Sequence, residues 1–114
     1  MERFGGTKGI RDRGILESAI GRPFQTFDGK DLYPDPVDKA AAIFESIVSN
    51  HPFIDGNKRT AYVLLRLILK RNQLDIEVDQ DVKYNFVINA ARGQLTFDKI
   101  KTWIENSLKQ ATKR

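Results

Sequence analysis

Two neighbouring apolar segments constrain the fold of this chain more than any other feature. In residues 36–50, apolar side chains recur at intervals of three and four residues, which is typical of a helix with one buried stripe. Residues 60–71 are apolar on nearly every side, and this pattern predicts a helix at the centre of the fold. That helix follows Asn57, a residue type that often caps helix starts. The sequence therefore predicts two consecutive helices joined by a short loop.

Three further helices are expected around this pair. A short helix is predicted over residues 14–20, a second after Asp79 with Gly93 closing it, and a third from Thr96 onward. Residues 22–35 have no helical period and contain two prolines and a glycine, so they form a long loop or a small hairpin. No alternating βαβ pattern is present. We predict an all-α, compact bundle of about five helices around a central apolar helix.

Composition excludes several classes of protein. The 114 residues correspond to one domain, 1–114, and the absence of cysteine excludes disulfides and thiolate metal sites. No apolar run approaches the roughly 18 residues of a membrane span, and the first residues lack the apolar core of a signal peptide. We expect a cytoplasmic protein with no membrane partner. Much of the net charge of +4 lies in terminal residues such as Lys109, Lys113 and Arg114, which predicts only nonspecific binding of nucleic acid.

The loop between the two apolar helices carries an unusual set of chemical groups. It reads His51-Pro52-Phe53-Ile54-Asp55-Gly56-Asn57-Lys58-Arg59 and holds the only histidine of the chain. A histidine can accept a proton at neutral pH, so His51 is the candidate general base. Asp55 offers a hard anionic oxygen of the kind that Mg²⁺ prefers, which makes it the candidate metal ligand.

The second half of the loop suits a phosphate chain. Gly56 can adopt positive φ, so the successive amides of Gly56, Asn57 and Lys58 could form an anion-binding nest at the start of a helix. Lys58 and Arg59 place positive charge at a helix N-terminus, where cations are normally unfavourable. A bound anion explains that placement.

Each loop residue also has an ordinary structural explanation. A single histidine in a polar turn is commonly solvated, Asn57 could be a helix cap, Asp55 a partner of the helix dipole, and Phe53 an anchor of the loop in the core. A P-loop is excluded because the glycine spacing and the preceding strand are missing. Only the joint occurrence of these residues favours a catalytic loop.

Residues 51–59 closely resemble the signature of the Fic/Doc family, His-x-Phe-x-Asp/Glu-Gly/Ala-Asn-Gly/Lys-Arg between two helices. They match it at every defined position. The likeness extends from Phe4-Gly5-Gly6 through Leu74, and the segment Gly9-Ile10-Arg11-Asp12 is similar to the death-on-curing (Doc) toxin branch. The resemblance implies an all-helical fold and an enzyme with ATP as co-substrate.

The resemblance also implies a role for each residue of the loop. His51 would deprotonate a hydroxyl of a target protein and Asp55 would hold Mg²⁺. The segment 56–58 would cradle phosphates, while Arg59 would neutralise the charge that develops during transfer. Phe53 would anchor the motif. The loop at 22–33 would be the family's flap, which aligns an extended target segment.

Two reactions occur in the family, and the sequence does not fully distinguish them. Most Fic enzymes transfer AMP from ATP to Ser, Thr or Tyr, whereas Doc-type toxins transfer phosphate to a threonine of elongation factor Tu. Lys58 replaces a glycine of the usual Fic motif and Tyr62 replaces its second arginine, and both changes favour phosphate transfer. Gly56, however, is shared with the Fic enzymes. A third hypothesis is that the chain is a catalytically inactive binding module with the same fold.

Partners follow from the same resemblance. Self-inhibited Fic proteins carry a helix with Ser/Thr-x-x-x-Glu-Gly/Asn, and no segment of this chain has that spacing. Control by a separate antitoxin peptide is therefore expected. Doc-like relatives usually have another strand and helix before the Phe4-Gly5-Gly6 region, so the N-terminus is shorter than usual for the family. The oligomeric state stays open.

Overall fold

The computed structural model describes residues 9–109, which form five helices and one small hairpin. The helices are α1 (Arg13–Gly21), α2 (Pro36–Asn50), α3 (Asn57–Arg71), α4 (Gln80–Ala91) and α5 (Phe97–Ser107). The all-α class and the five helices predicted from the sequence are confirmed. The Phe4-Gly5-Gly6 segment and the terminal Lys113 and Arg114 lie outside the described residues.

Local signals set most of the helix ends. At the start of α1, the Asp12 carboxylate accepts a hydrogen bond from the Ile15 amide at 3.0 Å. Thr96 caps α5 in the same way, accepting from the Lys99 amide at 3.2 Å. Gly93 follows α4 with φ of 75°, a conformation that glycine adopts without steric penalty. These ends agree with the predicted ones.

The most buried helix is α2, so the prediction of a central helix at 60–71 is wrong. Helix α2 packs against α1, α3, α4 and α5, and three consecutive alanines, 40–42, are fully buried. In α3, by contrast, Val63 is 56% exposed and Leu67 is 50% exposed. The small side chains of α2 let its neighbours approach on every side, whereas α3 lies at the edge of the bundle, and no element of the described residues covers one of its apolar faces.

An aromatic stack joins three helices in the core. The Phe44 ring of α2 stacks on Phe86 of α4 with centroids 4.8 Å apart. Phe86 in turn lies against Trp103 of α5 at 3.7 Å. A partly buried ion pair also joins α2 to α5, since Lys101 Nζ lies 2.8 Å from Asp38 Oδ1. These contacts pack α2 against α4 and α5, and the catalytic loop predicted from the sequence begins where α2 ends.

The segment 22–35 forms a hairpin, one of the two alternatives left open by its sequence. A 3₁₀ turn (Arg22–Phe24) precedes two short antiparallel strands, β1 (Thr26–Phe27) and β2 (Lys30–Asp31). Asp28 and Gly29 between them have φ of 53° and 76°, as a two-residue hairpin turn requires.

Arg66 and Asp75 form a two-point ion pair between α3 and the segment after it. Arg66 Nε donates to Asp75 Oδ1 at 3.0 Å and Nη2 donates to Oδ2 at 2.8 Å. These hydrogen bonds hold the pKa of Asp75 below its usual range, and the Ile76 amide acts in the same direction. A carboxylate with a lowered pKa in the folded state stabilises the fold above its unfolded-state pKa.

Replacing Asp75 with asparagine is expected to lower the free energy of unfolding by about 1–2 kcal/mol at neutral pH, because a charge-assisted pair is lost. The folded pKa lies below the unfolded value of about 3.9. The difference between wild type and variant should therefore be constant above about pH 5 and shrink as the pH falls below about 4. Urea unfolding at several pH values measures it. A difference that persists undiminished to about pH 2 would contradict this assignment.

Candidate active site

His51 is the first residue after α2 and has a left-handed backbone. Its φ and ψ are 52° and 59°, and its amide donates to the Ile47 carbonyl at 3.1 Å. This conformation is uncommon for a non-glycine residue and ends the helix sharply. The imidazole is left exposed to solvent at the edge of the bundle, which suits a side chain that must meet a substrate.

The first half of the loop is fastened to the segment that precedes α1. Phe53 forms an isolated antiparallel bridge with Ile10, and the Pro52 carbonyl accepts from the Arg11 amide at 2.7 Å. The Arg11 guanidinium donates to the carbonyls of His51 at 2.7 Å and Asn50 at 2.6 Å. These bonds fix the backbone on both sides of His51.

Asn57 closes the second half of the loop. Its Oδ1 accepts from the Phe53 amide and its Nδ2 donates to the Phe53 carbonyl, both at 2.9 Å. The helix cap is Gly56, and no side chain in the described part of the molecule caps α3. The prediction that Asn57 caps the helix is therefore wrong, because its amide group is committed to the turn. Phe53 is half-buried and packs against the core.

The start of α3 presents backbone amides outside the helical hydrogen-bond ladder. The Gly56 carbonyl accepts from Thr60 at 2.9 Å, so the amides of the three residues 57–59 precede this first helical bond. Gly56 itself has φ of 75°, and its amide donates to Asp55 Oδ1 at 2.8 Å. An anion site here would use the amides of 57–59, which is shifted by one residue from the predicted nest.

A model of the Fic/DOC family matches residues 1–69. The chain belongs to the Fic/Doc family. A similar protein, Toxin Doc of Mycolicibacterium smegmatis, is 44% identical over 79 residues, which are 69% of this chain and 61% of that toxin. The chain thus spans less than two thirds of the length of this relative.

Two other relatives help to decide between the Doc and Fic branches of the family. Protein kinase doc of Escherichia phage P1 is 29% identical over 100 residues, 88% of this chain and 78% of the kinase. Protein adenylyltransferase fic-1 of Caenorhabditis elegans is 47% identical over 45 residues, 40% of this chain and 9% of that protein. The long matches are to Doc proteins, and they place this Fic/Doc chain in the Doc branch.

The residues of this Fic/Doc loop fit Mg²⁺ bound together with a nucleotide. Within residues 9–109, no three His, Asp or Glu side chains cluster as metal ligands. Asp55 is exposed and its orientation is fixed by the Gly56 amide. Mg²⁺ commonly takes one or two carboxylates and completes its shell with phosphate oxygens and water, so one carboxylate beside an anion site is sufficient.

A cleft of about 250 Å³ lies beside the loop, between α3 and α4. It begins at Lys58 and Arg59 and includes Tyr62, which like Lys58 departs from the usual Fic motif. Burial raises the pKa of the Tyr62 phenol, so this side chain is neutral at physiological pH. The Lys83 ammonium of α4 lies 5.1 Å from the centre of the Tyr62 ring.

Sequence reasoning missed Arg11 as a support of the Fic/Doc loop. It lies 40 residues before His51, and no local pattern relates the two positions. The only signal was its place in the Gly9-Ile10-Arg11-Asp12 segment, which resembles Doc proteins. The helices described within residues 9–109 include none long and apolar enough to cross a membrane.

Proposed function

We propose that the chain is a Doc-like toxin that transfers a phosphate from Mg-ATP to a serine or threonine hydroxyl of a target protein. The main support for the proposal is the position of the chemical groups at the two ends of one loop. An exposed His51 stands at the end of α2, and uncapped amides with Lys58 and Arg59 stand at the start of α3. A base at one end and an anion site at the other are the two elements that this reaction requires.

The proposed reaction uses His51 as the base. The imidazole takes the proton of the target hydroxyl, whose oxygen forms a bond to the γ-phosphorus as the bond from that phosphorus to the ADP oxygen breaks. ADP leaves with the electron pair. The amides of 57–59 and the Lys58 and Arg59 side chains bind the phosphate oxygens, and Arg59 offsets the charge that develops in the transition state.

Asp55 is the residue proposed to hold Mg²⁺, which would shield the charge of the phosphates. Asp55→Asn is expected to weaken Mg²⁺-dependent ATP binding by about tenfold, or about 1.4 kcal/mol. The fold should be nearly unaffected, because asparagine can still accept the Gly56 amide through its oxygen. Calorimetric titration with ATP, with and without Mg²⁺, measures the effect.

The control for this prediction is Asp98→Asn, which removes another exposed aspartate in the first turn of α5. It should leave ATP binding unchanged. An Asp55→Asn protein that binds ATP as wild type does, with the same dependence on Mg²⁺, would remove the proposed metal role.

The hairpin is the proposed docking element for the target segment. Phe27 is 70% exposed, and within residues 9–109 the strands β1 and β2 pair only with each other, which leaves an edge that an extended peptide could join by backbone pairing. Arg22 anchors its base, donating to the Tyr33 hydroxyl at 2.9 Å and to Ser46 Oγ at 3.0 Å. Its Nη1 also lies 2.9 Å from Glu45 Oε1.

The proposed partners follow from the Doc relatives. A toxin of this kind acts in a toxin–antitoxin module, so we expect an antitoxin peptide supplied by a second chain. Elongation factor Tu is the first acceptor to test, and its modification would block translation. The relative named a protein kinase supports phosphate as the transferred group.

Transfer of AMP is the second candidate reaction. Gly56 is shared with the Fic enzymes, and the match to the adenylyltransferase fic-1, though short, is 47% identical. The same base would then direct the hydroxyl oxygen to the α-phosphorus, and pyrophosphate would leave. An inactive binding module is the third candidate, supported only by the basic chain ends.

Position-specific labelling of ATP tests the proposal. Purified protein is incubated with Mg²⁺ and a bacterial lysate, once with ATP labelled at the γ-phosphate and once with ATP labelled at the α-phosphate. Phosphate transfer labels an acceptor protein only in the first reaction. Label from the α-phosphate would replace the kinase assignment with AMP transfer, and no label from either would favour the binding module.

A further inference from the structure

The two peptide groups that meet at the Cα atom of His51 are both held by one side chain, that of Arg11. Its Nε donates to the His51 carbonyl at 2.7 Å, and its Nη2 donates to the Asn50 carbonyl at 2.6 Å. The Asn50 carbonyl belongs to the peptide group that sets φ of His51, and the His51 carbonyl belongs to the one that sets ψ. A planar guanidinium that binds both oxygens therefore restrains both angles, and with them the direction of the Cα–Cβ bond.

The peptide group between His51 and Pro52 depends on Arg11 more than the preceding one does. Proline has no amide hydrogen, so the His51 carbonyl is the only hydrogen-bonding group of this peptide unit. Within residues 9–109, the hydrogen-bond partner of that carbonyl is the Arg11 guanidinium alone. The preceding peptide group also has its amide bound to the Ile47 carbonyl at 3.1 Å. Removal of Arg11 would therefore release ψ of His51 first.

The backbone of His51 has a conformation that it would not keep without such contacts. Its φ and ψ are 52° and 59°, in the left-handed region that residues with a Cβ atom rarely adopt. A residue that precedes proline also favours extended backbone, so Pro52 adds to the tendency of His51 to leave this region. Strain of this kind persists only where surrounding contacts maintain it. The Arg11 guanidinium supplies such contacts, and its positive charge is favourable at the C-terminal end of α2.

We propose that Arg11 is a positioning residue for the transfer reaction, which holds His51 in the left-handed conformation and thereby sets the position of the imidazole relative to the acceptor hydroxyl. The inference rests on the proposed function, because it requires His51 to be the base. The bonds that Arg11 makes to the loop reach residues 50–52, whereas the proposed anion site begins at residue 57. Loss of Arg11 should therefore slow the transfer step and leave ATP binding nearly unchanged.

Arg11→Ala is expected to lower kcat for phosphate transfer by about tenfold, because a small displacement of a catalytic group has an effect of this size. The KM for ATP should stay at the wild-type value. Arg11→Lys keeps a cation that can donate to the same carbonyls, without the planar fork of the guanidinium, and should recover part of the rate. Arg13→Ala is the matched control, because the Arg13 Nε lies 3.4 Å from Glu17 Oε2. This control should keep the full kcat.

A spectroscopic measurement reports on the backbone of His51 without the reaction. His51 is the only histidine of the chain, so untagged protein labelled with ¹³C at the histidine Cα gives one resonance, whose chemical shift depends on φ and ψ. Arg11→Ala should move this resonance toward the value of extended backbone, and Arg13→Ala should leave it in place. Fluorescence of Trp103, the only tryptophan, checks the core separately. It should match wild type in both variants, because both arginine side chains are exposed.

The inference and the proposed function fail in different ways. If wild type is active and Arg11→Ala keeps both its kcat and the position of the His51 resonance, the positioning role alone is overturned. Equal loss of ATP binding and kcat, or unfolding seen in the Trp103 fluorescence, would make Arg11 a general support of the fold and would also overturn that role. Wild-type protein that labels no acceptor overturns the proposed function, and the His51 resonance still shows whether Arg11 holds this backbone.

Discussion

Replacing His51 with alanine is expected to lower the rate of phosphate transfer by about 10²–10⁴-fold, the usual contribution of a general base. The reason is direct, since the exposed imidazole is the only histidine of the chain and stands at the end of α2, where the loop to the proposed anion site begins. ATP binding should be largely retained, because the phosphate-binding groups lie at the other end of the loop. Initial rates with labelled ATP and the acceptor measure the effect.

The left-handed backbone of His51 requires a matched control. Any residue with a Cβ carries about 1–2 kcal/mol of strain in this conformation, so histidine and alanine share the cost and His51→Ala should change stability only slightly. Gln73 follows α3 with φ of 62°, which is close to the 52° of His51, and it lies outside the loop. Gln73→Ala should likewise change stability only slightly, and it should keep full transfer activity. Equal transfer rates in His51→Ala and Gln73→Ala would remove His51 as the base.

The second large effect is expected for Asn57→Ala. Two hydrogen bonds to the Phe53 backbone are lost, which should lower the free energy of unfolding by about 1–2 kcal/mol. Transfer should fall by about 10–10²-fold, because those bonds hold the distance between the base and the phosphate site, and misplacement by about 1 Å can have an effect of that size. Chemical denaturation and single-turnover rates measure the two parts separately.

Asn72 offers a control in the same helix. Its Nδ2 donates to the Ile68 carbonyl at 2.8 Å, as Asn57 donates to Phe53, and each carbonyl lies four residues earlier in the chain. Asn72→Ala removes a bond of the same type at the opposite end of α3. It should reduce stability slightly and leave transfer intact. A similar loss of transfer in both variants would mean that the helix as a whole, and not the loop geometry, sets the rate.

The sequence predicted the helices well because their signals are local. Pro36 begins α2, Thr96 caps α5, and Gly93 ends the α4 region in a left-handed conformation. Each of these depends on a residue type and its near neighbours. The same reasoning predicted the candidate loop. A proton acceptor, a carboxylate and a glycine within one short loop can be recognised from the sequence, before the fold is known.

The errors came from contacts that local patterns do not encode. The apolar residues of α3 suggested a central helix, but Val63 and Leu67 face outward because no element covers that side within the described residues. Asn57 is of a residue type that often caps helices, yet its side-chain oxygen accepts a hydrogen bond from the Phe53 amide. The bonds from Arg11 to the end of α2 join positions 40 residues apart. Burial and long-range hydrogen bonding had to be observed in the folded chain.

The most direct measurement of the central claim is the chemical identity of the modified acceptor. The labelled protein is isolated from reactions with wild-type chain and with His51→Ala, and its peptides are fragmented in a mass spectrometer. The account predicts one phosphate on a serine or threonine hydroxyl, formed by wild type and nearly absent with the variant. An AMP group on that hydroxyl, or phosphate formed equally by both proteins, would contradict it.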